Sequence, residues 1–196
     1  MKDLGPVRQF LGLDIHREKD RLTVRQSSLI LSVLKPFGMS NCNGLATPME
    51  TARRHHLNIK TDSNNSQPEV PSSEQQKQYQ AIVGSIMYLV VGTRPDLSYT
   101  VSVLSKFNVS ATTENYAVAK RTPRYLQYTL DYGIDYYKDH RSLAGFSDSD
   151  WAGDIDNRKS TLGFVFLLSK GAISWQASKQ KVVALSTTKA EYVACC

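Results

Sequence analysis

Cysteine is scarce in this chain: Cys42, Cys195 and Cys196 are the three present, with no spacing that would hold zinc and no disulfide framework. The four histidines, His16, His55, His56 and His140, are scattered without cysteine or carboxylate partners at ligand spacing, so no zinc centre is read from them. Long apolar runs are missing too. The longest, around Ile86 to Val91, falls far short of the roughly 20 residues a membrane-spanning helix needs. No positive-then-apolar leader opens the chain, and the expected setting is intracellular, cytoplasm or nucleus, and reducing, without a membrane. A calcium loop over Asp148 to Lys159 also fails, because its fifth position is Ala152 and its twelfth Lys159, where oxygen ligands are required.

What is present is ordinary for a globular protein: 41% hydrophobic and 21% charged residues over 196 positions, enough for one large domain or two small ones. A net charge of +6 and a pI near 9.2 are compatible with a polyanionic partner.

The pattern along the chain predicts an α+β protein. Val7 to Ile15 and Leu22 to Gln26 read as two strands of a hairpin joined by the charged turn His16 to Asp20, and Leu29 to Phe37 reads as a helix stopped by Gly38. Residues 62–74 are rich in Asn, Ser and Pro and are taken as a linker. Tyr79, Ile82, Val83, Ile86 and Val90 form one helical stripe and Leu97, Val101, Leu104 and Phe107 another, with Asp96 placed to cap the second helix. Tyr116 to Leu130 is helix-like except for Pro123, which marks either sequence decay or a helix that begins late. Short strands at Leu143 to Asp148, Leu162 to Ser169 and Ala172 to Gln176 precede a helix from about Thr187, capped by Ser186 or Thr187.

Four ordered motifs carry a resemblance. They are Phe146-Ser147-Asp148-Ser149-Asp150-Trp151-Ala152-Gly153-Asp154, then Arg158 to Phe166, then Ile173-Ser174-Trp175, and finally Ser186-Thr187-Thr188-Lys189-Ala190-Glu191-Tyr192. This wording resembles the RNase H of copia-type (Ty1/copia) retrotransposon Pol polyproteins. The resemblance runs back through Leu4 to Ile15, similar to the primer-grip strands near the end of the reverse transcriptase palm, and through Tyr79 to Leu89 and Thr93 to Leu97, similar to the thumb and connection region. It implies four segments: residues 1–61 as palm end and thumb start, 62–74 as linker, 75–140 as a helical thumb or connection, and 141–196 as the opening β-β-β-α part of an RNase H-like fold. The polymerase hairpin, Tyr-x-Asp-Asp, does not occur in the 196 residues, so polymerisation by this chain alone is not expected.

The same resemblance assigns chemistry. RNase H hydrolyses the RNA of an RNA:DNA hybrid with two Mg2+ (or Mn2+) ions about 3.5 to 4 Å apart, held by converging carboxylates. Asp148 matches the first catalytic aspartate and Glu191 the helix glutamate, so both are the implied catalytic and metal positions. Asp154 and Asp156 are read instead as turn residues. Lys189 departs from the family, which commonly has glutamate there. The two remaining carboxylates of the family come from segments that have no counterpart in these residues, so weak or absent metal binding and no cleavage are expected. Backbone contact with a hybrid is assigned to Arg8, beside Phe10 and Leu11, and to Lys106, Lys120, Arg121 and Arg124. The rival reading is a non-catalytic remnant that binds nucleic acid or a partner, with self-association through the unfinished sheet.

Overall fold

The structure, a computed structural model, describes residues 5–50, 71–138, 142–154 and 156–196. It is built of α-helices and two antiparallel sheets, as the α+β reading expects. Most of the expected linker, residues 62–70, lies outside the described residues, as do His55, His56 and His140.

The N-terminal strands are β1 (Gln9–Phe10), β2 (Leu13–Arg17) and β3 (Arg21–Arg25). The expected single strand from Val7 to Ile15 is instead folded back at Leu11 and Gly12, both at positive φ (49° and 78°). Two consecutive positive φ values make the tight turn whose twist matches flanking strands. Helix α1 (Ser27–Leu34) buries Ile30 and Leu34, continues into a tight turn at Lys35–Phe37, and stops at Gly38, whose φ of 66° supplies the left-handed cap.

Helix α2 (Ser73–Gly92) starts at a reciprocal cap in which Ser72 and Gln75 each satisfy the other's backbone amide. Ser73 and Glu74 therefore belong to its first turn and not to a linker. It buries Tyr79, Ile82, Val83, Ile86 and Leu89, one residue from the expected Val90. Helix α3 (Ser98–Ser105) has no side-chain cap. Asp96, expected to cap it, instead ion-pairs with Arg94 at 2.7 Å and accepts from the Tyr125 hydroxyl at 2.8 Å. Arg94 is fully buried: its guanidinium also donates to the Thr129 hydroxyl and carbonyl, and it lies over the Tyr125 and Tyr132 rings. A buried cation needs such complete satisfaction, since the ion loses its hydration.

Helix α4 (Thr113–Tyr128), opened by a Thr112–Asn115 cap, runs straight through Pro123. It does not begin late. Proline in a helix interior costs about 3 kcal/mol, and here that is offset by burial of a whole face including Tyr116, Ala119, Pro123 and Leu126.

Strand β4 (Gly133–Tyr137) corrects the all-helical reading of residues 75–140. It pairs antiparallel with β3, Val24 opposite Ile134, and completes a sheet ordered β1-β2-β3-β4. Gly133 is required, because a Cβ there would stand 2.4 Å from the Val24 carbonyl oxygen. Ile30 and Leu34 of α1 share one hydrophobic cluster with the buried residues of α2, α3 and α4. The expected divide between residues 1–61 and 75–140 thus falls across a common core.

The second sheet is β5 (Leu143–Ser149), β6 (Thr161–Leu168) and β7 (Gly171–Lys179), in that order, followed by α5 (Thr187–Cys195). Ser186 caps α5 through the Lys189 amide. Among the described residues β5 pairs only with β6, leaving its other edge open.

Candidate metal and nucleic-acid site

Asp148 is the next-to-last residue of β5, with its backbone opposite Gly163 of β6, itself opposite Ala177 of β7. The strand alternates its side chains. Ser147 and Ser149 turn toward α5: the Ser147 hydroxyl is 3.4 Å from the Cys195 sulfur, and Gln180 donates both to the Ser149 hydroxyl and to the Ala190 carbonyl. Phe146 and Asp148 alternate to the other face. There they line a cleft of about 490 Å³ whose walls include Pro95, Tyr99, Val165 and Trp175. Trp175 is fixed by its indole N–H, which donates to the Val90 carbonyl at 2.9 Å.

Asp148 and Glu191 are both exposed, and neither carboxylate makes a hydrogen bond or ion pair among the described residues. Their neighbours are committed. Asp150 accepts from the Thr161 amide at 2.6 Å, and its carboxylate fills the space a Cβ on Gly153 would need. Asp154 accepts from the Asn157 amide, the turn role expected of it, and is also buried against Lys106 and Lys179. Burial works to raise its pKa, but the two lysines outweigh that and hold its carboxyl down at about 2. Among the described residues no three of His, Cys, Asp or Glu form a group able to hold a metal ion. No contact joins Asp148 to Glu191 among the described residues: Asp148 faces the cleft, and Glu191 is carried by α5, which meets the Ser147 and Ser149 face.

The five cations assigned to nucleic acid divide sharply. Arg121 ion-pairs with Glu50 at 2.7 Å and donates to Thr47, and Arg124 donates to the Asn43 carbonyl at 2.9 Å. Both fasten the segment of residues 43–50 along α4. Lys106 is held by Asp154 at 3.0 Å. Lys120 is exposed and lies over the Tyr116 ring at 4.3 Å, and Arg8 is exposed beside the β1–β2 turn. No shared patch of all five is formed by these contacts.

Sequence reasoning missed the cleft and the Asp154 cluster. Trp175 is half-buried at the edge of that cleft. The Lys106–Asp154 pair joins residues 48 positions apart, and no local spacing signals such a contact. Elsewhere, burial pushes the Tyr79 hydroxyl up, and burial together with the Asp96 charge pushes Tyr125 up to about 12. Among the described residues no helix is long and apolar enough to cross a membrane.

Comparison with known proteins agrees with these motifs. A family profile described as reverse transcriptase (RNA-dependent DNA polymerase) matches residues 1–51. A retrovirus-related Pol polyprotein from a transposon of Nicotiana tabacum is 41% identical over 99% of this chain, which spans only 14% of that polyprotein's length. An uncharacterised mitochondrial protein of Arabidopsis thaliana is 35% identical over 98% of the chain and 75% of its own length. A secreted RxLR effector protein of Plasmopara viticola is 47% identical over 59% of the chain and 82% of its own length. No solved structure matches. With relatives aligned along nearly all of its length, the chain belongs to the copia-type retrotransposon Pol family.

Proposed function

We propose that this chain corresponds to the end of a reverse transcriptase and the opening of an RNase H domain, and that in a whole Pol protein it serves reverse transcription and hydrolysis of RNA in RNA:DNA hybrids. The observation that carries this reading is the pair of unengaged carboxylates, Asp148 on the first strand and Glu191 on the helix of a β-β-β-α unit, while the nearby Asp150 and Asp154 are committed to a turn and to ion pairs. Asp148 and Glu191 would hold Mg2+ or Mn2+, which when bound supplies an activated water and charge stabilisation at the phosphodiester. Asp150 and Asp154 keep the turn after β5 in shape. Two carboxylates alone do not build the clamp, so the 196-residue chain does not cleave hybrids.

The hybrid, or another nucleic acid, is the proposed partner, through Arg8 and Lys120, with Lys106, Arg121 and Arg124 contributing only to the extent that they leave their internal partners. A second reading, a non-catalytic remnant that binds nucleic acid or a partner and self-associates through the open β5 edge, is favoured by that edge, while the internal pairing of three cations turns it toward a protein partner. The proposed setting is intracellular.

Incubation with a labelled hybrid in Mg2+ or Mn2+, beside Asp148→Asn, tests the first reading. No product is expected from either. Metal-dependent product that vanishes in the variant would show that two carboxylates suffice.

A further inference from the structure

The second sheet meets the helical layer at three polar joints. At the Gly171 end of β7, the Tyr136 hydroxyl donates to the Ala172 carbonyl at 2.7 Å and the Tyr137 amide to the Ser169 carbonyl at 2.8 Å. Midway along β7, Trp175 donates to Val90. At the Lys179 end, Asp154 is the joint. Its side chain is 2% exposed, and one of its oxygens faces two ammonium groups, Lys106 at 3.0 Å and Lys179 in a still shorter contact. The other oxygen accepts from the Asn157 amide at 3.3 Å. Lys106 comes from the C-terminus of α3, where a positive charge is also favoured by the helix dipole.

We infer that Asp154 is a latch between the two layers, gripping Lys106 of the helical layer and Lys179 of β7, and that it is the positioning residue holding the Asp148 end of β5 against the helices. The register makes this specific. Asp148, Gly163 and Ala177 lie in one row across the sheet, and Ala177 is two residues from Lys179, so Asp148 sits at the latched end. From Gly171 to Lys179 the strand spans about 27 Å at roughly 3.4 Å per residue. The joints at Tyr136 and Trp175 therefore leave the far end unrestrained once Asp154 lets go. The cleft beside Asp148, walled on one side by Pro95 and Tyr99 and on the other by Phe146 and Trp175, is the gap the latch sets. Removing Asp154 leaves two neighbouring ammonium groups without their counter-ion, whereas removing Lys106 leaves the carboxylate paired with Lys179 alone and cuts its link to the helical layer.

This inference rests on the proposed metal role only in giving the position of Asp148 a purpose, and its test uses neither metal nor nucleic acid. Native-state hydrogen exchange is measured on the full chain, on Asp154→Asn, on Lys106→Gln, on the double variant and on Lys106→Arg. Lys106 lies outside the second sheet, yet Lys106→Gln is expected to speed exchange at the β6–β7 amides near Thr161 and Lys179 by about tenfold or more, with α2 unchanged. The double variant is expected to match the singles rather than their product, and Lys106→Arg to restore protection. In a Trp151→Phe background, Trp175 emission reports the same loosening. If Lys106→Gln leaves sheet exchange unchanged, or speeds α2 equally, the latch is overturned. Because Lys106 is at the rim, that variant answers the question even where Asp154→Asn does not fold. Failure of the intact chain to bind Mg2+ or Mn2+ would sink the metal-site reading and leave this result standing.

Discussion

The two layers of the molecule are held by different means. In the helical layer, large side chains are inside: Tyr79, Ile82, Ile86, Leu89, Leu104 and Leu126 are almost wholly removed from water. In the segment from Leu143 onward, the buried hydrophobic residues described are all alanines, Ala152, Ala172, Ala184 and Ala190. Its large apolar groups stay out, with Phe146 60% exposed and Leu143, Trp151, Phe166 and Ile173 also open. Hydrophobic stabilisation follows the apolar area removed from water, so the first layer gains it and the second depends on its backbone ladder, its turns and the joints to its neighbour. Strand pattern alone does not make a core.

The sharpest way to break this comparison is to truncate one large apolar side chain in each layer. Leu104→Ala is expected to destabilise the protein by about 2 to 5 kcal/mol in urea unfolding, the usual range for a buried leucine. Phe146→Ala removes more atoms yet should stay within about 0.5 kcal/mol, since its ring is largely solvated. Equal losses would show that the second layer has a core after all.

Acid separates the layers next. The Asp154 carboxyl titrates at about 2 when folded, against 3.8 when unperturbed, so its contribution is complete above that unperturbed value and is lost as pH falls toward 2. Exchange protection in β6 and β7 is therefore expected to fail in that window before protection in α2, and Asp154→Asn should remove the difference. Simultaneous loss would deny that the pair is specific to the second layer.

The smallest effects concern nucleic acid. Lys120→Ala is expected to flatten the salt dependence of hybrid binding by about one unit, at roughly 0.9 per phosphate contact. Arg121→Ala should leave that slope nearly unaltered and lower stability instead, because its guanidinium is occupied by Glu50 and Thr47. Titration in a salt series checks both.

How far the sequence could be read follows from the range of each contact. Helix α2 was legible because its apolar stripe is written within a few positions, whereas its start at the Ser72–Gln75 cap was taken for linker. The β-β-β-α order at the end was legible from motifs and short alternating runs. Strand β4 was not, since five residues after a helix carry little periodicity and their partner lies more than a hundred positions earlier. Pro123 misled because local propensity favours a break where tertiary burial keeps the helix whole. For the candidate site, Asp148 and Glu191 were found by wording. That Arg121, Arg124 and Lys106 are spent on internal partners is visible only once the chain is folded.

The pairing of β3 with β4 has a consequence for how the chain is made. Arg21 stands opposite Tyr137, so the fourth strand is supplied only after most of the helical layer has been synthesised. At about 5 to 20 residues per second, β3 waits several seconds on the ribosome with one edge unpaired. Closing so long a loop costs only slightly more entropy than closing a shorter one, because the penalty grows with the logarithm of its length. The delay is thus one of timing rather than of final stability, and during it the exposed β3 edge is open to other nascent chains.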